Sequence, residues 1–282
     1  MEYQSKDITI EGKKIYYETN SGQEMIVFLH GANTNLTVFN SIREHFANKG
    51  FGTIAIDLRG HGKSCNLNSK REFSLENCRK DVELVLEKEC VKSPIVVGSS
   101  TGGMIAQCYA SKNETKALVL ISTSYDLKTT YCRGLKRKIM FRLGDLNILA
   151  IILANKLIGA KEKIYPNYCN EKYGKTGIAK FIYLMISQHN AETIQNNSHI
   201  SRAVITWNTL PYLININAPC IVISGDNDVI VPLPTAYELA ELLPNCKETI
   251  IIKNANHGIG SAQTEEIIQA MERFFNVSIE KN

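Results

Sequence analysis

Three residue types that could together do nucleophilic chemistry each occur in this chain at a punctuated spot. Ser100 is the centre of Gly98-Ser99-Ser100-Thr101-Gly102, a Gly-x-Ser-x-Gly run. His257 closes the stretch Asn254-Ala255-Asn256-His257, and two carboxylates, Asp226 and Asp228, follow Gly225. A serine hydroxyl is a poor nucleophile until a base takes its proton and a third group fixes that base. The glycines choose between the two serines. The residues two before and two after Ser100 are Gly98 and Gly102, whereas Ser99 is flanked at that distance by Val97 and Thr101, whose side chains would crowd a tight turn.

The elements that must position these groups can be read around them. The β-branched run 95–97 stops at Gly98, and Met104-Ile105-Ala106-Gln107 continues as a helix. Strand, sharp turn and helix is the context in which such a serine faces a cleft. Residues 220–224 precede the two carboxylates and residues 248–252 precede His257; both runs read as strands. In an open parallel sheet, catalytic groups belong at the C-terminal ends of strands. Further strands are expected at 8–10, 14–18, 25–29, 53–56 and 117–122, the first two forming a hairpin around Glu11-Gly12. Helical patterns at about 37–49, from 74 to near 90, 102–111, 235–243 and 264–275 alternate with them. The expected fold is therefore α/β, a mostly parallel eight-stranded sheet flanked by helices, with the hairpin on its edge. Residues 125–213 have helical patterns and no clear strand. They read as a helical insertion between the sixth and seventh strands, leaving 1–124 and 214–282 as the core domain.

Composition narrows the classes. The chain has 282 residues, 44% hydrophobic and 21% charged, with a net charge of +4. This is ordinary for a globular protein and too mild to argue for nucleic acid. The N-terminus lacks an apolar signal region, which gives a cytoplasmic expectation. Eight cysteines are scattered without Cys-x-x-Cys spacing, and reduced core thiols are expected rather than disulfides or a metal site. Gly60-His61-Gly62-Lys63-Ser64 imitates the end of a phosphate-binding loop, but the first glycine that loop needs would fall on Asp57, so nucleotide binding is excluded. No metal or cofactor is implied. Residues 125–200 hold twelve Lys and Arg against five Asp and Glu. Within them 135–142 is basic, and 146–160 is apolar but interrupted by Asn147, Asn155 and Lys156, too short for a span of ~20 residues. The plain expectation is a cap that roofs a pocket and keeps its lysines solvated. The sharper one is weak peripheral contact with anionic lipid. Trp207 is expected to pack in the core rather than stack on substrate.

Four separated pieces resemble the α/β-hydrolase superfamily: His30-Gly31 after the third strand, Asp57-x-Arg59-Gly60-His61-Gly62-x-Ser64, the run Gly98 to Gly102, and Gly225-x-x-Asp228 followed by Asn256-His257. The resemblance implies Ser100 as nucleophile, His257 as general base and Asp228 as the acid that orients it, with Asp226 the competing acid. It implies an oxyanion hole built from the N–H groups of Ala32 and Thr101, the Asn33 N–H being the substitute for Ala32. His30 and His61 are expected to brace their loops, Asp57 and Arg59 to lock theirs by charge-assisted bonds, and His45, His189 and His199 to lie on the surface or cap. Ser99 and Thr101 depart from the large residues common beside the nucleophile and imply a smaller, more polar pocket floor. A serine rather than an aspartate nucleophile disfavours the dehalogenase and epoxide hydrolase chemistries.

The function so implied is a serine hydrolase of carboxylic esters working through an acyl-enzyme, on a small-molecule or lipid-like ester. The alternatives are C–C bond, thioester, lactone or perhydrolase chemistry on the same fold, and a non-catalytic ligand-binding protein. Because an imidazole accepts a proton only when neutral, activity is expected to fall below roughly pH 6 to 7.

Overall fold

The computed structural model describes residues 3–126, 191–228, 230–258 and 263–278. Eight strands form one sheet: β1 (Gln4–Ile10), β2 (Lys13–Asn20), β3 (Met25–Leu29), β4 (Gly52–Ile56), β5 (Ile95–Ser99), β6 (Ala117–Ile121), β7 (Cys220–Gly225) and β8 (Cys246–Ile252). Their spatial order is β1-β2-β4-β3-β5-β6-β7-β8. The β1–β2 and β2–β4 pairs are antiparallel and every later pair is parallel. The hairpin thus sits on the edge, as its polar, alternating sequence requires, and β5, which leads to Ser100, is central.

The central strands are continuous apolar runs because both faces of the sheet are covered. Val27, Leu29, Val96, Leu118, Leu120 and Val222 point to one face, where they meet α2 (Leu75–Lys88), α3 (Thr101–Ala110) and α6 (Leu233–Leu242). Ile26, Phe28, Ile95, Val97, Val119, Ile121, Ile221 and Ile223 point to the other, against α1 (Asn40–Asn48) and α7 (Thr264–Ser278). The period-2 side-chain alternation of a strand thus supplies two cores from one run.

The expected helix at 37–49 is two pieces: a 3-10 turn, Leu36–Phe39, then α1. Asn35 accepts the Thr37 N–H at 3.0 Å and Asp57 accepts the Leu36 N–H at 2.8 Å, which tightens the entry. The helix α2 begins at Ser74, whose side chain accepts the Asn77 N–H at 3.1 Å as an N-cap.

Of the expected insertion, the described part comprises α4 (Ala191–Val204) and α5 (Leu210–Leu213). Ile200, Val204, Trp207 and Leu213 join the core on the α2–α3 face. Trp207 is buried and stacks on Phe73 with ring centroids 5.1 Å apart, as the core-packing expectation has it. The basic run 135–142, the apolar run 146–160 and His189 lie outside the described residues. Among the described residues no helix is long and apolar enough to cross a membrane.

Candidate active site

Ser100 occupies the turn between β5 and α3 with φ 51° and ψ −117°. A positive φ is uncommon for a residue carrying a Cβ, and a backbone held there costs about 1–3 kcal/mol. The surroundings hold it. The Ser100 N–H donates to the Ile121 carbonyl at 2.8 Å, and the Ser100 carbonyl accepts from the Gly103 N–H at 2.9 Å. The flanking glycines are required by close approach. A Cβ on Gly98 would lie 2.5 Å from the Gly102 carbonyl oxygen, and one on Gly102 would collide with the Leu29 carbonyl. Strand, turn and helix therefore close up only with glycine at both positions.

The loop after β8 brings His257 to this turn. Its Nε2 lies 3.0 Å from Ser100 Oγ and its Nδ1 lies 2.8 Å from Asp228 Oδ2. A carboxylate only accepts, so Nδ1 carries the hydrogen and Nε2 presents its lone pair to the serine hydroxyl. The Asp228 side chain is fully buried. Its second oxygen accepts the N–H groups of Ile230 at 2.9 Å and Val231 at 2.8 Å. Three hydrogen bonds on two oxygens fix the carboxylate in place. Asp226, the competing acid, is exposed, and it is Asp228 that meets the imidazole.

Gly31 approaches the serine from the end of β3: a Cβ there would lie 3.2 Å from Ser100 Cβ. Ala32 and Thr101, the residues expected to offer N–H groups, follow Gly31 and Ser100 respectively. Thr101 is the first residue of α3, where backbone N–H groups have no intrahelical acceptor. The Asn33 N–H is engaged, donating to His61 Nε2 at 3.2 Å.

His30 and His61 cross-brace two loops. His30 Nδ1 donates to the Gly31 carbonyl at 2.7 Å while its Nε2 accepts the Leu58 N–H at 3.0 Å. His61 Nδ1 donates to the Arg59 carbonyl at 3.1 Å while its Nε2 accepts from Asn33. The rings meet edge to face, centroids 4.9 Å apart. Burial holds both neutral: it lowers the His30 pKa well below the ordinary value and that of His61 to about 4. Asp57 accepts from Leu36 and Lys63 N–H groups at 2.8 and 2.7 Å. Arg59 instead reaches into α2, meeting Asp81 side-on through Nε at 2.6 Å and Nη2 at 2.5 Å. Both locks are thus present, on separate partners.

A serine and a carboxylate at strand ends of an eight-stranded sheet are thus bridged by one imidazole. The sequence profile of the family described as alpha/beta hydrolase fold matches residues 24–260. The chain belongs to the α/β hydrolase fold family. As a member it is an enzyme of the hydrolase type. It is 23% identical to the AB hydrolase superfamily protein YisY of Bacillus subtilis (strain 168), across 95% of this chain and 97% of that one. It is 28% identical to the pimeloyl-[acyl-carrier protein] methyl ester esterase of Wigglesworthia glossinidia brevipalpis, across 84% of this chain and 88% of that one. The crystal structure of a putative lipase from Acinetobacter baumannii AYE superposes with TM-score 0.74 at 19% identity, covering 99% of this chain and 93% of that one.

Within this α/β hydrolase the structure brings Ser100, Asp228 and His257 together and leaves Asp226 outside. His45 pairs with Glu272 on α7 at 2.7 Å, and His199 lies half-buried on α4. Ser99 and Thr101 are buried beside the serine. Sequence reasoning missed Asn196 on α4, which accepts the Leu67 N–H at 2.9 Å and donates to the Gly60 carbonyl. It also missed Thr209, which donates to Gln107 on α3 at 2.5 Å and so ties the return from the insertion to the helix behind Ser100. Neither belongs to a motif, and Asn196 stands in the polar run Gln195-Asn196-Asn197-Ser198 while Thr209 follows Asn208, so no local signal marks either one.

Proposed function

We propose that this α/β hydrolase cleaves carboxylic esters through an acyl-enzyme on Ser100. The observation that carries the reading is the single imidazole that bridges Ser100 Oγ at 3.0 Å and Asp228 Oδ2 at 2.8 Å. His257 Nε2 takes the serine proton as Oγ attacks the ester carbonyl carbon. The oxyanion that forms is met by the N–H groups of Ala32 and Thr101. The engagement of the Asn33 N–H by His61 favours Ala32 over Asn33 for the first donor. As the tetrahedral species collapses, His257 Nε2–H returns its proton to the departing alkoxide. Water then repeats the sequence on the acyl-enzyme and frees the acid. Asp228 holds the imidazole in the Nδ1–H tautomer and stabilises the imidazolium that forms in each half-reaction.

The substrate class rests on the relatives. One is named as a methyl ester esterase, and the fold neighbour is described as a putative lipase. Residues 125–213 are the cap that would select the acyl and alcohol groups, with 1–124 and 214–282 as the core that does the chemistry. The excess of Lys and Arg over 125–200 suits a lipid-like ester presented at an anionic surface.

A fluorophosphonate probe and a panel of chromogenic esters, acyl-thioesters, lactones and diketones test the reading. Labelling and ester turnover should both vanish in Ser100→Ala, and Asp228→Asn should lower kcat by about 10⁴-fold because the tautomer is lost. Diketone or thioester cleavage without ester turnover would move the protein to another reaction on this fold. Measurable burst acylation in the wild-type protein would dispose of the binding-protein reading.

A further inference from the structure

Both N–H groups assigned to the oxyanion site belong to peptides whose carbonyls are gripped from behind by side chains. In a planar trans peptide the C=O and the following N–H point in opposite directions, so fixing one aims the other. The Ala32 N–H shares its peptide with the Gly31 carbonyl. That oxygen accepts from His30 Nδ1 at 2.7 Å and from Thr34 Oγ1 at 3.0 Å. The Thr101 N–H shares its peptide with the Ser100 carbonyl. That oxygen accepts the Gly103 and Met104 N–H groups at 2.9 and 3.4 Å, the bonds of any first helical turn. It also accepts Thr123 Oγ1 at 2.6 Å, from the loop that follows β6.

The Thr123 bond is the unusual one. Thr123 is 2% exposed and wedged against α3, where a Cβ on Gly103 would stand 2.6 Å from its Oγ1. The strained Ser100 backbone can relax by rotating the peptide between Ser100 and Thr101, which would swing the Thr101 N–H out of line. A hydroxyl held at 2.6 Å on the carbonyl opposes that rotation. Backbone donors stabilise a developing oxyanion to the extent that they are aimed before the charge appears.

We propose that Thr123, and on the other peptide His30 with Thr34, are positioning residues that set the two oxyanion donors from their carbonyl sides. The proposal rests on the Ser100 hydrolase reading. Removal of a whole oxyanion donor costs about 10²–10³ in kcat; loosening one should cost roughly tenfold on the same scale. Thr123→Val keeps the branched shape and deletes the hydroxyl, so it should lower kcat about tenfold with little change in KM. Inhibition by a trifluoromethyl ketone, whose serine adduct carries the same oxyanion, should weaken by the same factor. Thr123→Ser should restore both. Thr34→Val, at an exposed position that folding tolerates, should give a smaller loss of the same kind.

An unaltered kcat in Thr123→Val would overturn the proposal, as would a Thr123→Ser protein as impaired as Thr123→Val. So would a loss confined to KM. Failure of the underlying reading looks different. A wild-type protein that neither turns over an ester nor takes the fluorophosphonate at Ser100 would remove the hydrolase assignment itself. Normal labelling and turnover beside an indifferent Thr123→Val would remove only the clamp.

Discussion

His61 accepts the backbone N–H of Asn33 at 3.2 Å, joining the loop after β3 to the loop after β4. The bond exists only while Nε2 is unprotonated, and Nδ1 is already committed to the Arg59 carbonyl. Burial lowers the His61 pKa from 6.5 to about 4 and drives that of buried His30 down as well. Between those values the unfolded chain binds a proton that the native protein refuses. Stability therefore rises with pH through that window and is lost as pH falls from about 6.5 toward 4. The His61 share is about 3 kcal/mol. Urea unfolding at intervals from pH 7 to 4 should register a falling midpoint, and His61→Gln should flatten the slope. A midpoint independent of pH across that range would contradict the neutral brace.

The Ser100 backbone stores strain that glycine would release. Ser100→Gly and Ser100→Ala should both be inactive, but only glycine reaches φ 51° and ψ −117° without steric cost. Relief of about 1–3 kcal/mol is partly offset by the greater freedom of unfolded glycine, about 1 kcal/mol. Thermal unfolding should place Ser100→Gly above Ser100→Ala by about 2 °C, on the scale set by a chain of this size. A Ser100→Gly protein that melts below Ser100→Ala would mean the turn is not strained.

The Arg59–Asp81 pair ties the loop after β4 to α2 inside the protein, with both side chains buried. Removing one partner strands the other charge away from water. Asp81→Ala should cost about 3–5 kcal/mol. The double replacement Asp81→Leu with Arg59→Met should cost less than that single change, since apolar groups of similar size need no counter-charge. A chemical-denaturation cycle of the two singles and the double checks this. A double variant less stable than Asp81→Ala would assign the pair a larger net contribution than the desolvation argument allows.

Much of the fold was legible because its signals are local. The runs 25–29, 95–97 and 220–224 are continuously apolar, as strands covered on both faces must be, and Gly98 and Gly102 mark a close approach that other residues block. Strand and helix ends were less legible. The entry to α1 became a 3-10 turn because Asp57, distant in sequence, takes the Leu36 N–H. The strand β8 begins at Cys246 rather than 248 because it pairs along β7, a partner that no local pattern displays.

At the site, local sequence identifies the residue types and shows that each follows a strand. Because parallel strands deliver their C-terminal ends to one edge, this nominates Ser100, His257 and one of two aspartates; the family resemblance favours Asp228 over Asp226, two residues before it on the same turn. The tertiary structure separates the two aspartates: the buried carboxylate fixed by the Ile230 and Val231 N–H groups is the one facing His257 Nδ1. It alone supplied Asp81 as the partner of Arg59 and Thr123 as the hydroxyl behind the Ser100 carbonyl. Such bonds join side chains or carbonyls on separate elements, and a hydrogen bond depends on distance and angle in space, which sequence spacing does not encode.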